Sequence, residues 1–258
     1  AAEQQPLKDH PRNRIQLFGK FSVLDREGEE IAPLFTPKIK QLFLLLLIHS
    51  SRGGKGISSN ALTEQIWGGE ASSKNSKSLR SVSILKLRKI LERLDQVEIR
   101  FTSNRYLLQF AGSVSCDYLH CLKLLEGPIN DRTTLEQLIT ILSQGEVFGE
   151  ESYAWLDDTK SYICNSAVDL LTRFIPHYSM ETESDKLIRL ADQILRNDPC
   201  NEEALICKVQ ALMQQNHTKS ARYTYQRFTS LYEELYGEPF PKSFEAILSA
   251  NGSGEASA

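Results

Sequence analysis

Leu79-Arg80-Ser81-Val82-Ser83-Ile84-Leu85-Lys86-Leu87-Arg88-Lys89-Ile90-Leu91 is too apolar for an ordinary surface helix and too cationic for an ordinary buried one. Placed at 100° per residue with Leu79 at zero, Leu79, Ile84, Leu87, Ile90, Leu91 and Leu94 share one arc centred near 60°, the face expected to enter a core. Lys74, Lys77, Ser78, Ser81, Val82, Leu85, Arg88 and Lys89 take the opposite side, with Lys86 at its margin. Arg80 falls nearer the core edge, from which its aliphatic stem can reach outward. A face of cations and short hydroxyls with few acids is what a DNA major groove requires. The cations neutralise phosphate, and the short side chains let a helix approach base edges.

The chain around this stretch divides by charge. Residues 1–112 carry 18 Lys and Arg against 11 Asp and Glu, and residues 113–258 carry 12 against 22. The net −3 therefore hides a basic module suited to phosphate and an acidic one that is not. A length of 258 residues with 41% hydrophobic content fits two packed domains of about 100 to 200 residues each.

Structure is expected from Arg14, after a polar lead-in over residues 1–13. Ile15, Leu17, Phe21 and Val23 alternate around Gly19, and Arg26-Glu27-Gly28-Glu29 turns the chain before Ile31, which predicts a small antiparallel sheet. Thr36-Pro37 marks a helix start, threonine as cap and proline at the first position, and opens a helix whose centre is the run Leu42 to Ile48. Ser58 or Ser59 caps a second helix carrying Leu62, Ile66 and Trp67, which stops at Gly68-Gly69. A polar loop, Glu70 to Ser76, leads into the third helix. Val97, Ile99 and Phe101, then Ser103-Asn104, then Tyr106, Leu108 and Phe110 read as a β-hairpin.

From Asp117 only helices are expected: Tyr118 to Leu125, Thr134 to Leu142, Tyr153 or Asp157 to about Ile175, Ser184 to Leu195, Glu202 to Gln214 and His217 to Tyr236. Leu187, Leu190, Ala191, Ile194 and Leu195 form one apolar stripe. Asn197-Asp198-Pro199 turns the chain, and Asn201 caps a second stripe of Ala204, Leu205, Val209 and Leu212. Such short helix pairs resemble tetratricopeptide repeats.

Thr36-Pro37-Lys38, the leucine run, Ile57-Ser58, Leu62, Ile66-Trp67-Gly68 and Val82 to Lys89 resemble the OmpR-type winged-helix DNA-binding domain. Cys116-Asp117-Tyr118, Ala154-Trp155-Leu156, Asp198-Pro199 and Tyr232 to Pro239 resemble the bacterial transcriptional activator domain that follows it in SARP-type regulators. The resemblance implies a mainly α fold. A winged helix-turn-helix with a small antiparallel sheet and hairpin wing (14–112) is followed by an all-α, TPR-like domain (113–248) and a tail (249–258). It also implies sequence-specific transcriptional regulation, with the third helix in the major groove and the hairpin on an adjacent groove or the backbone.

Carried over residue by residue, Lys77, Ser78, Ser81, Val82, Leu85, Lys86 and Lys89 become groove-helix candidates, and Asn104 and Arg105 wing candidates. Lys74 and Arg80 complete the set, and Lys86 is the strongest. Two departures stand out: the family's wing usually has glycine where this chain has Asn104-Arg105, and position 85 is often polar or basic in the family. The implied partners are double-stranded DNA, RNA polymerase through the loop Glu70 to Asn75, and a second copy of the chain on repeated half-sites. A helical-repeat interaction module with the N-terminal domain as scaffold is the alternative.

No enzyme, metal or cofactor site is expected. Arg52-Gly53-Gly54-Lys55-Gly56-Ile57-Ser58-Ser59 lacks the GxxxxGK[ST] spacing and follows a helix, and there is no HExxH or GxSxG. Five cysteines, Cys116, Cys121, Cys164, Cys200 and Cys207, fit neither a disulfide framework nor a zinc site, and a reducing cytoplasm is the simplest setting. The longest apolar run falls well short of the ~20 residues that cross a bilayer. With Ala1 first and Met180 and Met213 the only methionines, a processed chain or a fragment is expected.

Overall fold

The computed structural model describes residues 12–68, 73–128 and 131–249. Packing divides the described residues into two compact units: those up to Cys121 with Gln144–Glu151, and those in Leu122–Ser143 with those from Ser152.

The first unit is assembled on helix α1 (Pro37–Ser51), in which Leu42, Phe43 and Leu44 to Leu47 are at most 1% exposed. Helices α2 (Ser59–Trp67) and α3 (Ser73–Leu91) and the hairpin β4 (Val97–Thr102) and β5 (Arg105–Phe110) complete the unit's core. Both other helices, β5 and the short strand β3 (Ile57–Ser58) pack directly on α1. Pro37 opens α1 as expected, but the Thr36 side chain makes no capping bond. The first turn is closed by main chain instead, the Lys40 N–H donating to the Thr36 carbonyl at 2.8 Å. Ser58 does cap α2, accepting from the Ala61 N–H at 3.2 Å. The expected loop up to Ser76 is shorter than its composition suggested, because α3 already begins at Ser73.

Strands β1 (Arg14–Gln16) and β2 (Ser22–Leu24) pair antiparallel with Ile15 opposite Val23. A third strand, β6 (Ser115–Cys116), joins β1 in parallel, which the alternation pattern did not announce. It delivers Asp117, first residue of α4 (Asp117–Glu126), to the end of β1. The buried Asp117 carboxylate accepts from the Leu17 N–H at 2.8 Å, the Phe18 N–H at 3.1 Å and the Tyr118 N–H at 2.7 Å. Burial pushes this carboxyl above its ordinary range against the pull of those three donors.

Gln144–Glu151 joins the same edge. The Gly19 N–H donates to the Glu146 carbonyl at 2.7 Å, and a Cβ at Gly19 would lie 2.1 Å from the Gln144 carbonyl oxygen. With φ at +72°, only glycine fits there. By packing, the first unit therefore runs past residue 112.

The second unit is helical: α5 (Arg132–Leu142), α6 (Ala154–Phe174), α7 (Ser184–Asn197), α8 (Glu202–Gln214), α9 (Thr218–Tyr236) and α10 (Phe244–Ser249). Helices α6 to α9 pack each on the next. Leu187, Leu190, Ala191 and Ile194 of α7 and Ala204, Leu205 and Val209 of α8 are essentially solvent-free, as their stripes predict. The Asn201 side chain accepts from the Ala204 N–H at 3.0 Å to cap α8. Helix α10 was not foreseen; its Phe244 and Ile247 close a core with Leu205, Val209, Phe228 and Phe240. Cys207 is a core thiol pushed up to about 12 by burial, whereas Cys200 sits in the turn before α8.

Two outcomes test this frame. Leu45→Ala is expected to cost about 2–5 kcal/mol in urea unfolding, because the α1 surroundings cannot collapse into the vacated volume. Burial opposes ionisation of Asp25, but N–H donors from Glu29 and Glu27 and the Arg93 guanidinium at 2.5 Å outweigh it and hold its carboxyl below the usual range. A depressed carboxyl contributes stability that is present above its unfolded pKa and lost as pH falls through the folded one. The loss of stability below about pH 4 should therefore be shallower in Asp25→Asn than in the parent, measured by denaturation between pH 2.5 and 6.

Candidate nucleic-acid interface

Helix α3 is oriented by what it buries. Ser76, Ile84, Leu87 and Leu91, with Leu94 just beyond, point inward at 5% exposure or less. This set centres near 90° on the wheel, about a quarter-turn from Leu79. Leu79 accordingly lies outside the core it was expected to join, 45% exposed, and the inward positions at that end of the helix go to Ser76 and Arg80. Ile90 is half-buried.

Arg80 also behaves differently from a residue reaching outward. Its guanidinium donates to the Ser59 carbonyl at 2.9 Å and to the Thr63 hydroxyl at 2.7 Å, and it lies 6.0 Å from the centre of the Tyr106 ring. It clamps α3 to α2. Arg88, exposed on its outer side, donates to the Ile99 carbonyl at 3.0 Å and holds α3 against β4. Beyond the helix end, Arg93 bridges Asp25 and Glu29, and Arg26 donates to the Glu92 carbonyl at 3.0 Å.

What remains facing outward is Lys77, Ser78, Ser81, Val82, Leu85, Lys86 and Lys89. Among the described residues, the ammonium groups of Lys77, Lys86 and Lys89 have no hydrogen-bond or ion-pair partner, and the Ser81 hydroxyl donates back to the Lys77 carbonyl at 3.0 Å. Val82 is 49% and Leu85 56% exposed. Lys74 is on α3, but its side chain lies outside the described residues. No acidic residue occurs anywhere in Ser73–Leu91, so no carboxylate on this helix competes for its lysines.

The wing is a two-residue hairpin. Thr102 pairs with Arg105 across Ser103 and Asn104, both of which have positive φ, as a type I′ turn requires. Asparagine in place of the family's glycine is accommodated there. The hairpin is also anchored: the Ser59 N–H donates to the Asn104 carbonyl at 3.0 Å, and the Ser59 hydroxyl donates to the Asn104 side-chain oxygen.

Arg105 turns back from the tip and donates to the carbonyls of Lys55 at 2.7 Å and Gly56 at 2.6 Å. Gly56 permits this closeness, since a Cβ there would stand 2.1 Å from the Tyr106 carbonyl oxygen. Burial, followed by the charge of Arg105, holds the His49 imidazole below its usual range.

Two further residues lie exposed beside these candidates. Phe101 continues the alternation of the buried Val97 and Ile99, yet it is 51% exposed, its ring 4.6 Å from that of Tyr106. The hairpin outruns the core beneath it, which strand period cannot report. Lys55, in a loop considered only as a phosphate cradle, is exposed beside β5, where its carbonyl accepts from Arg105; its glycine-flanked cation was the available signal. No cluster of three or more metal-binding side chains occurs among the described residues, nor a helix long and apolar enough to cross a membrane.

No family model matches the sequence, and no curated protein matches it significantly. Among solved structures, Mycobacterium tuberculosis EmbR, in complex with a low-affinity phosphopeptide, aligns over 92% of this chain with a TM-score of 0.59 at 15% identity. The fold of this chain is similar to that of EmbR. A winged helix followed by an all-α domain is thus present in one chain. This chain spans 64% of the EmbR chain in that structure. Within the EmbR-like fold, α3 is the third helix of the winged unit and β4–β5 the wing.

The clamp made by Arg105 can be tested directly. Arg105→Ala is expected to lower stability by about 1–2 kcal/mol, because two charge-assisted bonds to main-chain carbonyls are lost. Hydrogen exchange should quicken at Tyr106 and Ile57 and stay unchanged in α8.

Proposed function

We propose that this chain is a sequence-specific DNA-binding transcriptional regulator of the SARP type. Helix α3 enters the major groove, the β4–β5 wing lies on an adjacent groove or the backbone, and the helical unit serves regulation or protein contacts. The observation that carries the reading is the outward face of α3: three lysines without partners, two serines and no acid, on the third helix of an EmbR-like winged unit. The division of labour among the cations supports it. Arg80, Arg88 and Arg105 are spent on main-chain and hydroxyl acceptors, so they position α3 and the wing, while Lys77, Lys86 and Lys89 are left for phosphate. The cytoplasm is the compartment where such a regulator works.

The implied contact with RNA polymerase falls on residues 70–75, of which 70–72 lie outside the described residues and 73–75 belong to α3. Pairing of two copies on repeated half-sites is part of the same proposal, since a doubled interface doubles the phosphate contacts.

Selection from a random duplex library with the full chain should enrich a defined site; enrichment of nothing would count decisively against the proposal. On that site, Lys86→Ala should weaken binding and reduce the slope of log K against log salt by about 1 in magnitude, the signature of one lost phosphate contact. An unchanged affinity and slope would remove Lys86 from the interface.

A further inference from the structure

The face just assigned to DNA carries two side chains that electrostatics does not explain. Val82 and Leu85 are about half exposed on the outward face of a helix that buries Ile84, Leu87 and Leu91 on the other, with Leu79, also exposed, off to one side. They stand three residues apart, so they are neighbours on the helix surface, with Cβ atoms about 5–6 Å apart. Ser78 and Ser81 lie on the turn before them, and Lys86 and Lys89 on the turn after. An apolar pair between short hydroxyls and unpartnered lysines is complementary to a surface that is anionic at its edges and apolar at points between. The major groove is such a surface: phosphates line its rims, and on its floor the 5-methyl of thymine is the apolar group that distinguishes a base pair.

We propose that Val82 and Leu85 form a methyl-reading pair, each packing on the 5-methyl group of a thymine in the bound site. This rests on the reading that α3 lies in the major groove, and it adds the base chemistry that α3 selects. The spacing constrains the site. Side chains about 5–6 Å apart, set against a rise of about 3.4 Å per base pair, reach thymines on adjacent or next-adjacent pairs. Ser78 and Ser81 are short enough to let the helix settle to that depth. Leu85, the departure from the family's usual polar residue, becomes the side chain that sets a preference for thymine at its position.

The test uses the full chain and the duplex recovered by selection. Each thymine in the site is replaced in turn by deoxyuridine, which removes the methyl group and leaves pairing and the O4 acceptor intact. At one or two positions no more than two base pairs apart within each half-site, affinity should fall about fourfold, the worth of one buried methyl-sized group. The salt slope should not change, because no ion is released. Val82→Ala and Leu85→Ala, both at exposed positions and checked for unchanged thermal unfolding, should each weaken binding to the thymine duplex and each abolish sensitivity to deoxyuridine at one position.

Specific binding with no position sensitive to deoxyuridine, or sensitivity that persists in both alanine variants, overturns the methyl-reading pair and leaves the DNA-regulator reading standing. Failure of selection to enrich any site removes that reading and the pair with it. Alanine variants that bind the thymine duplex as tightly as the parent but change the mass of the free chain in sedimentation show the stripe to be a protein contact, which also overturns the proposal.

Discussion

The constraint on which the first unit depends is the burial of α1. A helix whose residues 42 to 47 are all solvent-free has no side to show to water and must be covered all round. Its coverings are α2, α3, β3 and β5. Once α3 is laid on it through Ile84, Leu87, Leu91 and Leu94, the opposite face of α3 can only look outward, and the chemistry of that face follows from helical geometry. Hydrophobic burial thus sets the direction in which the lysines point, although none of them contributes to it.

Charge alone is a poor guide to which of these residues meet a ligand. Of the basic side chains on or beside α3 and the wing, the arginines Arg80, Arg88, Arg93 and Arg105 are committed to carbonyls, a hydroxyl or carboxylates, and Lys77, Lys86 and Lys89 are not. The difference follows from the head groups. A planar guanidinium has several donors in a fixed fork and can satisfy two main-chain acceptors at once, which suits it to pinning helices and hairpins. An ammonium on a flexible stem is a point charge that stays hydrated until phosphate displaces the water. Arg80 and Arg105 therefore act on the placement of α3 and the wing.

The acidic half uses the same physics with another result. Its helices bury apolar stripes against one another, while carboxylates such as Glu183 and Asp192 pair with Arg132 and Lys208. A net negative surface of this kind repels a polyanion. The boundary between charge regimes and the boundary between packed units differ, because Asp117 and Gly19 draw residues 113–121 and 144–151 onto the first sheet.

Much of this was open to reading in the sequence. Helical period, Pro37, Ser58, Asn201 and the alternation at Val97 to Phe110 specify the order of elements, because each acts over a few residues and local geometry suffices. The outward set Lys77, Ser78, Ser81, Val82, Leu85, Lys86 and Lys89 was legible for the same reason. Four things were decided by tertiary structure alone: the parallel strand Ser115–Cys116, the exposure of Leu79 and Phe101, the packing of α10, and the inward turn of Arg80 and Arg105. Each depends on a partner tens of residues away, or on where the core ends beneath an element. Periodicity can say which residues share a face. It cannot say how far along that face the neighbouring elements extend, nor which carbonyl a long side chain will find, because both are properties of the packed chain.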